Sequence, residues 1–436
     1  MTIIAAVLAW LSIAGCVALF GLMAATHYLL ALHCALRRRG LADEAAALAR
    51  PLPPDDALPH VVVQIPVFNE GALVWRAARA AAALDWPRGK LHIQLLDDST
   101  DRTPELSQAA ARELAAAGID AVALHRAERA DFKAGALREG FARSPHDYFA
   151  IFDVDYVPPP DFLRRCMRPL LAAPGLAFVQ ARYDFLNPEE NGLTELQVVL
   201  QDAHLGIEQA TRSWAGHPLP FNGTCGIWRR AAIEAAGGWR GESLAEDLDL
   251  SYRAWLLGWH GRFLVGVAAP GELPATLKSW TAQQRRWTKG FGQVARRMLP
   301  ILFTARGLSA KARLGSFVHL VGWWGLPISN LTVWAGLLAL VLDPGWLPSL
   351  GVLLLALFVA GHATMFAFLR LGNRFIRGTA CGGKAWPLGR FLRVYARIIA
   401  IGLYAGLVNL RAYAEALLGS KSPFVRTPKR GAAGPP

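Results

Sequence analysis

Apolar runs dominate the pattern of this chain, and the longest comes first. Residues 3–32 carry no charge and exceed the roughly 20 residues that cross a bilayer. Arg37, Arg38 and Arg39 follow, and the run is too long for a cleaved leader, so it predicts a retained anchor with its far flank cytoplasmic. Two more runs, 314–342 and 347–369, are joined by DPGW, which holds no lysine or arginine. Lys311 and Arg313 precede the pair, and Arg370, Arg374, Arg377, Lys384 and Arg390 follow it, which predicts a hairpin with both ends cytoplasmic. The stretch 391–418 is also apolar, but Arg393, Arg397, Arg411 and Glu415 interrupt it and a basic tail follows. A single crossing would place that tail outside, so the pattern predicts an interfacial or re-entrant helix.

Between the anchor and the hairpin the pattern changes to that of a soluble α/β domain. VVVQIPVF is a β-branched run of the kind buried in a parallel sheet, and an alanine-rich helix is predicted over 72–84. LHIQLLDD and YFAIFDVDYV read as further strands, ending in Asp97 and Asp98 and in Asp153 and Asp155. The predicted organisation is an anchor at 1–36, an α/β domain at 59–300, a hairpin at 314–370, an interfacial or re-entrant helix at 391–419 and a cytoplasmic tail at 420–436.

Composition sharpens this picture in two places. Hydrophobic residues make up 53% of the 436 while net charge is +13, a pairing typical of apolar spans alternating with basic loops. The arginines gather beside the apolar runs and form no solvent-facing stripe, so nucleic acid is not an expected partner. The 5 cysteines show no CxxC spacing, which argues against a disulfide framework or a cysteine-based zinc site.

Candidate chemistry lies where the strands end, because open parallel sheets bind ligands outside their carboxyl ends. Two acids two residues apart on an extended strand point to one side, so Asp153 and Asp155 can both reach one ligand or metal. Unpaired buried charge is costly, which favours a cation there, and hard oxygen donors suit Mg2+ or Mn2+ bridging a diphosphate. The acids of DDST serve equally well as turn or cap residues. FNGTCGIWRR either brings backbone amides to a ligand or simply turns the chain. ESLAEDLDLSYRAWLLGW predicts a helix with an acidic start, where acids complement the helix dipole and where Asp247 could act as a general base. TAQQRRWTKG sets glutamines, paired arginines and a tryptophan before apolar sequence, a pattern suited to an anionic ligand.

In order, QIPVFNE, LLDDSTD, DFKAGAL, FDVDY, FVQARYDFLN, FNGTCGIW, AEDLDL and QQRRW cover most of residues 60–290. This set resembles family 2 glycosyltransferases of the cellulose synthase and mannan synthase type. LDDSTD, VQAR, FNGT and ELPATLKSW are most similar to the glucomannan synthase branch. The resemblance implies an inverting membrane enzyme with a GT-A fold, an α/β Rossmann-like domain joined to transmembrane and interfacial helices. It would transfer hexose from UDP-glucose or GDP-mannose to a growing glycan.

The resemblance also implies roles. Asp98 would bind the nucleobase with Phe68 and Glu70, Lys133 would contact the diphosphate sugar, and Asp153 and Asp155 would hold nucleotide and metal. Asp247 would be the catalytic base, and Gln283, Arg286 and Trp287 would meet the diphosphate and acceptor, with Arg286 counted as catalytic. Phe221, Asn222, Gly223, Thr224 and Glu246 would face the acceptor. Phe424, Thr427 and Lys429 in the tail look like a gating loop that folds over the donor. Ala245 stands where the family has threonine, and Arg426 where it has valine. A lipid acceptor, as for enzymes resembling ceramide glucosyltransferase, is the alternative, and a nucleotide-sensing scaffold is the rival from another class. Membrane lipids are expected partners, a homo-oligomer remains open, and the expected location is a bacterial inner membrane with the catalytic domain cytoplasmic.

Overall fold

The computed structural model describes residues 2–322, 325–380 and 382–420. They form two compact units. Residues 36–194 and 212–280 make an α/β unit, while 2–35, 195–211 and the described part of 281–420 make a unit without strands. The segments 195–211 and 281–300, counted with the α/β domain from sequence, therefore belong to the helical unit.

Seven strands build the α/β unit: β1 (Val61–Val67), β2 (Leu91–Asp97), β3 (Asp120–His125), β4 (Tyr148–Ile151), β5 (Leu176–Phe185), β6 (Gly226–Arg229) and β7 (His260–Gly271). Their order is β3-β2-β1-β4-β6-β5-β7. β1 to β4 pair in parallel, β6 runs antiparallel between β4 and β5, and β7 is parallel to β5. The β-branched run of β1 is buried along its length, as a strand covered on both faces must be. The alanine-rich helix Leu73–Ala82 packs its buried face, including Val74, Ala77, Ala78 and Ala81, into the same core.

Two glutamines interrupt this apolar core and position a functional helix. Gln64 on β1 and Gln94 on β2 are register partners, and Gln64 Nε2 donates to Gln94 Oε1 at 2.9 Å. Gln94 Nε2 then donates to the carbonyl of Gly140 at 3.1 Å, on the helix Phe132–Ala142. These two bonds tie that helix to the centre of the sheet. A Cβ at Gly140 would lie 2.6 Å from both amide groups, so the helix can approach only as glycine.

In the helical unit, two helices are long and apolar enough to cross a membrane, Thr2–Leu48 and Pro344–Ala380, the first continuing past the unit boundary. The stretch 314–342 is not one straight span. Ala310–Gly322 and Pro327–Leu342 meet at 65°, where Gly322, Gly325 and Pro327 weaken the helical hydrogen-bond ladder. The stretch 391–418 forms the helix Leu388–Leu417, bent by 46° next to Gly402. Counting each bent pair as one span gives up to 4 crossings.

Arg397, Arg411 and Glu415, three of the charges that interrupt the last helix, are paired inside this unit. Arg390 and Arg397 bind opposite oxygens of Glu195 at 2.9 and 2.6 Å. Glu415 receives Arg285 at 2.6 Å, Lys289 at 3.1 Å and Arg411 at 3.2 Å.

Gly140→Ala should destabilise the α/β unit by about 1–3 kcal/mol, the usual cost of overpacking a filled site. The check is the thermal midpoint of the purified variant, expected to fall by roughly 2–4 °C per kcal/mol. An unchanged midpoint would show that the glutamine pair does not clamp the helix.

Candidate active site

The carboxyl ends of β1, β2 and β4 are where the sequence placed its acids, and the structure separates their tasks. Asp97 caps its own turn, accepting from the Ser99 amide at 2.8 Å and from the Ser107 hydroxyl. Asp98 is buried and forms a two-point ion pair with Arg126, at 2.7 and 2.5 Å. Arg126 also donates to the carbonyls of Ala130 and Phe132, so one guanidinium fixes both Asp98 and the loop before Lys133. The guanidinium of Arg129 lies 3.3 Å from the centroid of Phe68. Glu70 sits partly buried in the turn that leads into the helix Leu73–Ala82.

β4 ends at Ile151, so FDVDY is not strand, and the expectation that alternation aligns Asp153 with Asp155 is corrected. The chain turns here, with the Tyr156 amide donating to the Asp153 carbonyl at 3.0 Å. The two carboxylates have different partners. Asp153 is 41% exposed in its side chain and bonds Lys133 at 2.5 Å. Asp155 is buried, accepting from the Glu272 amide at 3.1 Å, while Glu272 pairs with Arg76 at 2.6 Å.

Four segments meet around Lys133. Its ammonium donates to Asp153 Oδ1 and, at 2.8 Å, to the carbonyl of Gly223. The Thr224 hydroxyl accepts from the Asp153 amide at 2.9 Å, which joins the turn 221–225 to the turn after β4. Gly223 has φ +79°, and a Cβ there would lie 2.9 Å from Asp247 Oδ2 and 3.5 Å from Lys133 Nζ. Glycine is required twice over, by its backbone angle and by the approach of the carboxylate.

Asp247 opens the helix Glu246–Leu256, as the acidic pattern predicted. The acids of that first turn divide their roles. Asp249 is fully buried and paired with Arg253 at 2.8 Å, a structural arrangement, whereas Asp247 faces Lys133. Burial, then the neighbouring charge of Glu246, pushes the Asp247 carboxyl up to about 7, against the opposing pull of Lys133. Burial alone would pull Lys133 down, but Asp153, Glu246 and Asp247 outweigh it and hold the ammonium above the ordinary lysine value.

The remaining predicted residues are placed as follows. Asn222 donates its amide to Gln180 Oε1 and accepts from the Tyr183 hydroxyl on its carbonyl at 2.6 Å. Phe221 differs from the acceptor-side expectation. It is 1% exposed, and its ring packs against Phe178 and Trp228 in the core. Gln283, Arg286 and Trp287 lie partly buried on the helix Leu277–Thr304 and belong to the helical unit. Their neighbour Arg285 is engaged by Glu415. Phe424, Thr427 and Lys429 lie outside the described residues. Sequence reasoning missed Arg126, Arg129, Arg76 and Glu272. HRAERADFK carries two arginines just before Lys133, and that clustering was the available signal.

The chemistry of Asp153 fits a divalent cation. Its carboxylate is solvent-facing, and among the described residues its side-chain bond goes to Lys133, an ammonium placed where cationic charge is needed.

Residues 148–371 match the model of Glycosyl transferase family group 2, just over half of the chain. Glucomannan 4-beta-mannosyltransferase 2 of Arabidopsis thaliana is 43% identical over 245 residues, 55% of this chain and 46% of that protein. Glucomannan 4-beta-mannosyltransferase 9 of the same plant is 40% identical, over 58% of this chain and 49% of that protein. Glucomannan 4-beta-mannosyltransferase 1 of Oryza sativa subsp. japonica is 39% identical, over 57% and 50%. The chain thus spans about half the length of the curated relatives it matches. In fold it is similar to mannosyltransferase PcManGT from Pyrobaculum calidifontis, solved with GDP-Man and Mn2+, at a TM-score of 0.58 and 18% identity over 95% of this chain and all of that one. The mixed sheet with flanking helices is GT-A-like.

The Asp247 carboxyl stays protonated in the folded protein up to about 7, whereas the unfolded chain ionises near 4. Its contribution to stability is therefore complete below about 4 and is lost progressively as pH rises from there to about 7. Asp247→Asn should remove that loss. Between pH 5.5 and 8 the wild type loses about 2 kcal/mol from this group, so the variant's thermal midpoint should gain on it by roughly 4–8 °C. Parallel pH curves for the two proteins would contradict the raised value.

Proposed function

Because the chain belongs to glycosyl transferase family group 2, we propose that it is a membrane-bound, inverting β-glycosyltransferase. It moves mannose from GDP-mannose onto a growing glycan, with UDP-glucose as the alternative donor. The observation that carries this reading is the meeting of Asp247, Lys133 and Asp153 at the carboxyl end of the sheet. Relatives named as 4-beta-mannosyltransferases, at 43% and 40% identity, support mannose as the sugar and a β-linked product.

A carboxyl held at about 7 is matched to proton transfer near neutral pH. Asp247 takes the proton of the acceptor hydroxyl as that oxygen bonds to the anomeric carbon. The bond from that carbon to the diphosphate oxygen breaks, and its electron pair leaves with the nucleoside diphosphate. Attack from the face opposite the leaving group turns an α-linked donor into a β-linked product. Charge builds on the diphosphate, where the Lys133 ammonium offers stabilisation. Mn2+ or Mg2+ held by Asp153 and Asp155 would add to that neutralisation.

Asp98, beside Phe68 and Glu70, would meet the nucleobase. Asn222, Gly223, Thr224 and Glu246 border the acceptor side of Asp247. Gln283, Arg286 and Trp287 enter this reading through the motif alone, as do Thr427 and Lys429. The apolar helices and their basic flanks support a membrane enzyme with its α/β unit on the cytoplasmic side.

The test is transfer by protein purified into nanodiscs, given radiolabelled GDP-mannose or UDP-glucose with Mn2+, and sizing of the product. A long product cut by β-mannanase is expected from GDP-mannose. A small, organic-extractable product would instead make it a lipid glycosyltransferase, and binding without transfer would make it a sensor. Asp247→Asn should lower kcat by about 10²–10⁴-fold, the usual value of a positioned general base, with donor affinity nearly unchanged. Retained turnover would remove Asp247 from that role.

A further inference from the structure

The other end of the same sheet carries a cluster that the transferase chemistry does not use. His60 directly precedes β1, His92 lies on β2, and His146 lies just before β4. One nitrogen from each ring lies within 4.8 Å of the others. His60 Nδ1 and His92 Nε2 are 2.8 Å apart. On the far side of its ring, His92 Nδ1 lies 2.5 Å from Asp120 Oδ2, at the first residue of β3.

We propose that His60, His92 and His146 form a binding site for a zinc-class divalent ion, which braces the amino edge of the sheet.

Three features support this site. Neutral imidazole nitrogens suit Zn2+, Ni2+ or Cu2+ and disfavour the hard Mg2+ and Mn2+ that carboxylates prefer. Asp120 holds Nδ1 of His92, which directs Nε2 toward the cluster, as outer carboxylates commonly do for metal-bound histidines. The four contributing segments lie at the amino ends of adjacent strands, because the sheet order runs β3-β2-β1-β4. An ion there would link all four.

The rings now stack, with centroids 4.0 to 5.1 Å apart and planes 3° to 19° from parallel. Lone pairs in parallel planes do not meet at one point, so binding turns the rings about χ2, a soft torsion. Tetrahedral zinc at about 2.0–2.1 Å needs nitrogens about 3.3 Å apart, so the His60–His92 pair opens from 2.8 Å while His146 is brought into the same range. Two cations lie nearby but are held on carbonyls. Lys90 donates to the carbonyls of Asp56 and Leu58, and Arg230 Nε donates to that of His146 at 2.7 Å, which fixes the backbone of the third ligand. Three histidines leave a fourth position for water.

The seven residues of β1 separate this edge from the carboxylate end by about 20 Å, so the two sites can be tested apart. The experiment uses the full chain, without a histidine tag, stripped with chelator and re-equilibrated with Zn2+ or Co2+ alone. Readouts are bound metal after desalting, the Co2+ visible spectrum and the thermal midpoint. Wild type should take up one equivalent, show a nitrogen-ligated Co2+ spectrum and melt higher with metal. The double variant His60→Ala, His146→Ala should lose all three responses. Asp120→Asn should bind roughly 10-fold more weakly. Asp153→Asn should bind zinc as wild type does. His92→Gln serves as a second variant if the double variant melts below wild type without metal. Zinc uptake unchanged in the histidine variants, or none in wild type, would overturn the site.

Discussion

Gathering carboxylates within reach of one another costs free energy unless a cation stands among them, and here that cation is Lys133. Its ammonium touches Asp153, faces Asp247 across Gly223 and feels Glu246. Two opposite consequences follow from one charge. Lys133 keeps Asp247 from rising further than about 7, and the acids keep Lys133 charged despite its burial. A carboxyl near neutrality beside a fixed positive charge suits the proposed displacement of a diphosphate.

The position of Lys133 is inherited from the core. Its helix is held through Gly140 by the amide pair of Gln64 and Gln94, and the loop before it is held by Arg126. That loop is strained. Asp131 and Phe132 have φ of 58° and 47°, conformations that side-chain-bearing residues rarely adopt. Asn69 and Cys225, also at positive φ, sit in the loops after β1 and before β6. Such strain persists only where surrounding bonds over-determine it, as Arg126 does by gripping Asp98 and the Phe132 carbonyl together.

The helical unit handles charge by a similar rule. Glu195 and Glu415 each collect more than one basic partner, so arginines in a largely apolar helix are answered within the protein. Charges that would be costly against lipid become bridges between helices of that unit. This pairing also separates Arg285 and Lys289, which serve Glu415, from the neighbouring Arg286 of the QQRRW motif.

Local pattern alone determined a good deal about this protein. β-branched runs marked β1 and β2, alanine content marked the helix Leu73–Ala82, and the acidic start marked the helix of Asp247, because each property acts over a few neighbouring residues. Apolar length marked the first long helix for the same reason. Tertiary structure decided what depends on distant partners. It ended β4 at Ile151, gave Asp153 to Lys133 and Asp155 to the Glu272 amide, and assigned Asp97 to a turn and Asp98 to Arg126. It took Phe221 into the core, bent the run 314–342, and brought three histidines from separate strand ends together. Periodicity reports which face a residue shares with its neighbours in the chain. The partner a charge or ring meets is set by how strands order and helices pack, and that ordering is not a local property.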